Sequence, residues 1–386
     1  MQIGFDISQI GADKAGCGYF AFALANGLAN NPGNNQFTYY PTFGDFYFDR
    51  LMPLENPFKK QGIKYGPRHL TRESAGEFWR APNLEEKLGE PEVIHANNFW
   101  CPANIGKARL IYTLYDLGFA IEPGWTTEAN RIGCLDGVFQ AALSADWILA
   151  ISEASKRSYL EFFPRFPEER IRVIYPSSRF SESARRGKRP KAIGEMAARR
   201  FWMSVGTIEP RKNHRLLVEA YRAYATAVAD PMPLVLAGGK GWLMDDFIAE
   251  ATDERLPGRI IFTGYVSDDE LIWLYRNCYA NLYPSLFEGF GLPVLEGMQF
   301  GAATISSNSS SLPEVGGDAA IMLAPESAGA WTAEMLRLAA DPAERDRLKE
   351  AATERAKAFN SQRSVAQLLD FYDEVAGSPK RRDLSA

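Results

Sequence analysis

Histidine and cysteine are scarce in these 386 residues. The three histidines, His69, His95 and His214, share no i, i+3 or i+4 spacing, so nothing suggests a histidine metal centre. The four cysteines, Cys17, Cys101, Cys134 and Cys278, form no C-x-x-C pair; neither a disulfide framework nor a zinc site is expected, and they read as packing residues. No apolar run approaches the roughly 18 to 20 residues that a membrane-crossing helix needs. The first segment, Met1 to Ser8, enters a strand pattern where a leader would show charge and then an apolar run. The expectation is a cytoplasmic protein, with peripheral contact at the inner face of the cell membrane left open. Charge of one sign is also nearly lacking. With 43 Lys+Arg against 48 Asp+Glu the net charge is −5, which gives no whole-chain electrostatic reason to expect nucleic acid as a partner.

Length and alternation are what the sequence does have. The chain is long for one hydrophobic core, so two domains of roughly 150 to 200 residues are expected. Short β-branched and aromatic runs alternate with helical periodicity, the pattern of βαβ units around parallel sheets. Strands are expected at Gln2 to Ile7, Phe37 to Tyr40, Val93 to Ala96, Leu110 to Leu114, Trp147 to Ile151 and Arg172 to Tyr175. Helices are expected from Gly18 to Ala29, from Thr126 to Ser144, and after Ser152 as N-cap. The stretch Gly44 to Glu90, punctuated by Pro53, Pro57, Pro67 and Pro82, reads as a variable loop region. Ser177 to Arg200 is polar and basic and reads as a linker.

A second series then begins. Strands are expected at Phe201 to Val205, Leu234 to Ala237, Arg259 to Phe262, Ala280 to Tyr283, Ala302 to Ser306 and Ala320 to Leu323, with helices starting near Asn213, Trp242, Asp268 and Pro293. The fold class is α/β, two Rossmann-like doubly wound domains facing across a cleft, spanning 1–180 and 197–360. Amphipathic helices follow at Pro342 to Phe359 and Ser364 to Val375, the last (364–376) expected to pack back on the first domain. Residues after Gly377 read as frayed, with Lys380, Arg381 and Arg382 as a solvated tail or, alternatively, a contact for an anionic membrane surface.

The richest segment is Tyr283 to Gly301, YPSLFEGFGLPVLEGMQFG, between an expected strand and helix. Pro293 suits the first helical position, which places the amides of Phe290, Gly291 and Leu292 at the helix entrance, where orphan donors and the macrodipole favour an anion. Glu288 in the loop and Glu296 in the first turn would repel a phosphate, so they are expected to hold hydroxyls, one on a sugar and one on a ribose. A solvated loop charge and a dipole-favoured carboxylate are the alternatives. The turn GTIEPRKN, from Gly206 to Asn213, delivers Arg211 and Lys212, a planar fork and a compact ammonium that suit a diphosphate whose charge grows as it leaves. Gly238 and Gly239 form a strand-end turn that admits close approach. The loop Gly11 to Gly18, with Gly16 and Gly18, lacks dinucleotide-fingerprint spacing but could bring backbone to a phosphate or acceptor from the first domain.

These residues resemble retaining glycosyltransferases of the GT-B architecture, in the large family 4 that uses nucleotide-sugar donors. Glu288 to Glu296 matches that family's E-x7-E motif, and Arg211 with Lys212 its phosphate-binding pair. Gly264 and Tyr265 before Asp268, SLFEGFGLPVLE, and SSLPEVGGDAA from Ser310 to Ala320 agree with it. The resemblance implies that Glu296 binds the donor ribose, Glu288 lies near the sugar, Arg211 and Lys212 hold the diphosphate, and the Gly291 and Leu292 amides position the donor. It also implies chemistry without a metal or other cofactor, on a glycan or lipid-linked acceptor. The donor expected first is GDP-mannose and second UDP-glucose, because YTLYDLGFAIEPGWTTEAN, from Tyr112 to Asn130, is most similar to bacterial surface-polysaccharide mannosyltransferases.

One position departs from the family. Where members commonly carry His-Asp, this chain has Tyr115 and Asp116. Tyrosine can donate to a sugar hydroxyl but, with a reference pKa of about 10, is a poor proton shuttle. His95 in VIHANN is a candidate replacement or a packed strand-end histidine, with Asn97 and Asn98 beside it on the acceptor side. The rival readings are a related epimerase or phosphorylase, and a catalytically silent nucleotide-sugar-binding protein.

Overall fold

The structure, a computed structural model, describes residues 1–11, 16–45, 58, 62–69, 71–180, 187–196, 198–242 and 246–381. The chain divides into two compact units. Unit 1 comprises Met1–Pro123, Thr127–Arg179 and Asn360–Ala386; unit 2 comprises Gly124–Thr126 and Phe180–Phe359.

Unit 1 is built on seven strands, β1 (Gln2–Asp6), β2 (Gln36–Tyr40), β3 (Lys64–Tyr65), β4 (Val93–Ala96), β5 (Arg109–Leu114), β6 (Trp147–Ala150) and β7 (Ile171–Val173). Their order is β3-β2-β1-β4-β5-β6-β7, every pair parallel. The chain steps outward from β1 to β3, then returns to lay β4 on the other side of β1. That reversal opens a crevice beyond the C-terminal ends of β1 and β4, where open parallel sheets bind ligands. The central strands β4 and β6 are buried along their whole length. Both sheet faces are covered, so their sequences, VIHA and WILA, read as apolar runs broken only at His95 and their boundaries are legible.

The last helix, Ser361–Gly377, returns to this sheet. It buries Ser364, Val365, Leu368, Phe371, Tyr372 and Val375, one face at helical spacing. It lies against the helix Gly16–Asn30 so closely that a methyl on Gly27 would overlap Val365. Beyond it the chain is not frayed as far as Arg381. The Lys380 ammonium is buried 3.4 Å from Asp146 Oδ2 and donates to the Ala108 carbonyl at 2.7 Å. The Arg381 backbone amide donates to Asp146 Oδ1, while its guanidinium donates to the carbonyls of Ala142, Leu143 and Ala145, capping the helix Glu128–Ser144. Neither a solvated tail nor a membrane contact describes these two cations, because Asp146 and backbone carbonyls of unit 1 engage both side chains. Arg382 lies outside the described residues.

The region Gly44 to Glu90 also departs from its reading as loop. It contains β3 at the sheet edge and helices Arg72–Trp79 and Leu84–Lys87, the first capped by Thr71 accepting from the Ser74 amide. Residues 46–57, 59–61 and 70 lie outside the described set.

Unit 2 repeats the plan with β8 (Trp202–Val205), β9 (Leu234–Ala237), β10 (Ile260–Gly264), β11 (Ala280–Tyr283), β12 (Thr304–Ser307) and β13 (Ile321–Leu323), in the parallel order β10-β9-β8-β11-β12-β13. Its reversal falls between β8 and β11. Alternate residues of β8, β9 and β10 serve two cores: Trp202 and Leu234 pack with Tyr221, Trp331 and Met335, while Met203 and Val235 pack with Leu274 and Tyr275. Phe180 and Ile193 enter the second core, so the expected linker contributes anchors to unit 2. The helix expected near Trp242 is present at Phe247–Ala251, with 243–245 outside the described residues.

Candidate active site

The turn after β8 is fixed by its own sequence. Glu209 precedes a single helical turn, Pro210–Lys212, in which Pro210 sets the backbone. Asn213 then takes a left-handed conformation with φ +57°, one that asparagine tolerates, and starts the helix His214–Ala227. Its side-chain amide donates to the carbonyls of Pro284 and Pro325, pinning the turn to the loops after β11 and β13.

That anchoring brings Arg211 and Lys212 onto Glu288. Lys212 Nζ donates to Glu288 Oε1 at 2.5 Å and Arg211 Nη1 to Oε2 at 2.9 Å. Tyr283 and Ser285 add hydroxyl donors to Oε1 at 2.8 and 2.6 Å. Arg211 also donates to the Phe287 carbonyl and, through Nη2, to Glu209 at 2.9 Å. Glu288 is buried, which alone would raise its pKa; the charges of Lys212 and Arg211, with hydrogen bonds from Lys212 and Ser285, reverse this and hold it at about 2. Beside the same carboxylate, the buried Tyr283 hydroxyl is held well above its usual pKa, first by burial and then by the charge on Glu288.

The loop carrying Glu288 is held by serines to which the sequence alone assigned no role. At the end of β12 Ser307 donates to the Ser285 carbonyl, and beyond it Ser309 donates to that of Leu286 and Ser311 to those of Glu288 and Phe290. Ser310 accepts the Glu288 amide at 2.8 Å. The run SSNSSS therefore sets the backbone on both sides of Glu288. It forms no catalytic motif, and its only signal in the sequence is its density of short hydroxyl side chains in a strand-end turn.

The helix begins at Leu292, with Gly291 as N-cap at φ +106°, a conformation that favours glycine. Pro293 is its second residue, so Glu296 is the fifth, one residue further in than expected. Glu296 is buried and accepts from the Tyr275 hydroxyl at 3.2 Å. The glycines divide. Gly206, at φ +149°, donates its amide to the Ala237 carbonyl at the β8–β9 edge. Gly238 is required locally, since a Cβ there would overlap the Gly206 carbonyl.

The unit 1 residues fare differently. Gly16 and Gly18 are in the first turn of a helix and not in a loop, with Gly16 exposed and Gly18 buried; residues 12–15 lie outside the described set. His95 is withdrawn from any shuttle role. It is fully buried between the Tyr372 hydroxyl and Thr113 Oγ1, each at 2.8 Å, and burial lowers its pKa to about 3. Tyr115 is buried and donates to the Asn97 carbonyl at 2.9 Å, so its hydroxyl is engaged within the protein. Asp116 accepts the Gly118 amide at the start of a short helix.

Two parallel doubly wound sheets, with Arg211 and Lys212 gathered on the buried Glu288 at the C-terminal edge of the second, are the architecture of a GT-B glycosyltransferase. The family described as glycosyl transferases group 1 matches residues 187–355. O-antigen chain mannosyltransferase B of Escherichia coli is 30% identical over 285 residues, which span 72% of this chain and 74% of that one. Serotype-specific mannosyltransferase WbdA of the same species is 37% identical over 180 residues, 44% of this chain and 22% of that much longer one. The chain belongs to the group 1 glycosyltransferases. Among solved structures, Anabaena Alr3699/HepE in complex with UDP and glucose superposes with a TM-score of 0.70 at 17% identity, over 97% of this chain and 100% of that one. WaaG, a glycosyltransferase involved in lipopolysaccharide biosynthesis, gives 0.69 at 13% identity, with the same coverage. Among the described residues no helix is long and apolar enough to cross a membrane.

Proposed function

We propose that this glycosyltransferase moves a hexose from a nucleoside-diphosphate sugar to a hydroxyl of a glycan or lipid-linked saccharide in surface-polysaccharide synthesis, with retention at the anomeric carbon. The observation that carries the proposal is the convergence of Arg211 and Lys212 on one buried carboxylate at the C-terminal edge of the unit 2 sheet. A fork and an ammonium held together there can take over the charge of a leaving diphosphate with little reorganisation, while the sugar gains oxocarbenium character. Glu288 keeps the two cations together and, once phosphate oxygens engage them, is placed to accept from a sugar hydroxyl. Glu296 is assigned to the ribose, and the Gly291 and Leu292 amides to donor positioning.

GDP-mannose is the first donor to test, a choice supported by the two mannosyltransferase relatives, and UDP-glucose the second. The scheme uses no cofactor. Thermal shift across GDP- and UDP-sugars, followed by NMR of the anomeric configuration in the product, tests the proposal. Donor binding with neither transfer nor slow donor hydrolysis would instead favour a silent nucleotide-sugar-binding protein. The engaged hydroxyl of Tyr115, where the family carries histidine, is the observation that favours this second reading.

A further inference from the structure

Glu209 is a buried carboxylate, 3% exposed, that the donor scheme does not use. Its Oε1 lies 2.9 Å from Arg211 Nη2, while Nη1 of the same guanidinium serves Glu288 and the Phe287 carbonyl. Its own carbonyl accepts the Lys212 amide at 3.2 Å, so it is tied to both cations of the turn. We propose that Glu209 is a positioning residue that keeps the Arg211 guanidinium in place when a diphosphate competes for it. The proposal rests on the donor reading above.

The two carboxylates holding Arg211 are not equivalent. Glu288 also receives Lys212, Tyr283 and Ser285, so it stays hydrogen-bonded when its bond to Arg211 is exchanged for one to a phosphate oxygen. Glu209 bonds the other nitrogen, and with the Phe287 carbonyl it fixes the plane of the fork throughout that exchange. A fork already oriented when charge develops on the leaving group needs no reorganisation. Charge counting separates this role from a purely structural one. Glu209, Arg211, Lys212 and Glu288 balance, so Glu209→Gln leaves one positive charge in excess. It should hold an anion at least as tightly while catalysing more slowly.

The test is a double-mutant cycle on the full chain. Glu209→Gln is expected to lower kcat about tenfold, the scale of one charge-assisted bond. The Kd for UDP or GDP should be unchanged or lower. In the Arg211→Ala background the same substitution should change kcat less than twofold if the two residues act as a unit. Glu209→Asp should recover part of the loss. Equal losses in both backgrounds, weaker nucleotide binding in Glu209→Gln, or no loss at all would overturn the proposal. A second readout needs no donor: nitrogen-15 NMR should show resolved, slowly rotating Nη groups on Arg211 that average in Glu209→Gln. If the wild type neither transfers sugar nor binds a nucleoside diphosphate, the donor reading fails. The Arg211 signals still decide whether Glu209 holds the fork, and signals unchanged in Glu209→Gln would show that it does not.

Discussion

The two sheets reverse their strand order in the same way, and each buries a carboxylate at the C-terminal edge beside the reversal, on β1 in one and after β11 in the other, yet they give it opposite character. Asp6, at the end of β1, accepts the amides of Ser8 and Asn97, and among the described residues no cation pairs with it; burial pushes its pKa up to about 7, against hydrogen bonds from the Ser8 amide and hydroxyl and from the Asn97 amide. Glu288, after β11, is as deeply buried but meets Lys212 and Arg211, and is held at about 2. The fold fixes where the carboxylate sits, and the neighbouring cations decide whether it is charged. Around Asp6 the edge is closed by neutral bonds, from Asn98 to Ser8, from Tyr115 to Asn97 and from Gln9 to Asn97. Unit 1 does keep a buried ion pair, Lys380 with Asp146, but Asp146 immediately precedes β6 and lies at the other end of the sheet.

The largest expected effect attacks the charged edge. Lys212→Ala should lower turnover by about 10² to 10³ while the protein stays folded, as when one preorganised donor to developing charge is removed. Unchanged turnover at saturating donor would remove the distinction between the two edges. Next, Lys380→Ala should cost about 3 kcal/mol in urea unfolding, because it leaves Asp146 buried with its cation gone. The kcat should stay near wild type; a large fall would mean that the two ends of this sheet are not functionally separate.

The third prediction sets the carboxylates against each other through pH. Glu288 binds protons less readily folded than unfolded, so its stabilisation is present above its ordinary pKa of 4.5 and lost as pH falls toward 2. Asp6 binds them more readily, so wild-type stability falls as pH rises from its ordinary 3.8 to about 7. At most, the Asp6 shift is worth about 4 kcal/mol and the Glu288 shift about 3 kcal/mol. Relative to wild type, Asp6→Asn should therefore lose more stability at pH 5 than at pH 7.5, whereas Glu288→Gln should lose less at pH 2.5 than at pH 5. Offsets that do not change with pH would break the contrast. The smallest effect is expected from Tyr115→Phe, which removes one buried hydrogen bond and should cost about 1 kcal/mol with kcat within a few-fold.

The sequence makes strands such as Val93–Ala96, Leu234–Ala237 and Ala280–Tyr283 legible to the residue, because burial on both faces demands a mostly apolar run, interrupted here only by His95 and Asn281. The two-residue β3 has no such run, and the prolines around it obscure the helix Arg72–Trp79. In the site, Arg211, Lys212, Glu288 and Glu296 stand out because their residue types and spacing carry chemistry. Glu209 and the serines of SSNSSS do not, because each acts through a bond to a partner that only folding supplies. The same holds for Lys380, whose charge reads as solvated until Asp146 is beside it.

The helix Ser361–Gly377 has a consequence for the order in which the molecule is made. Its Tyr372 covers His95 and its face completes the unit 1 core, so residues 1–179 leave the ribosome without the piece that seals them. Unit 2, nearly continuous in sequence, emerges and can close first. At roughly 5 to 20 residues per second, its synthesis keeps unit 1 waiting on the order of ten seconds or more. During that interval a long apolar groove along the first-made sheet is a natural binding site for a chaperone. A stalled chain ending before residue 360 should be more protease-sensitive in its first half than in its second.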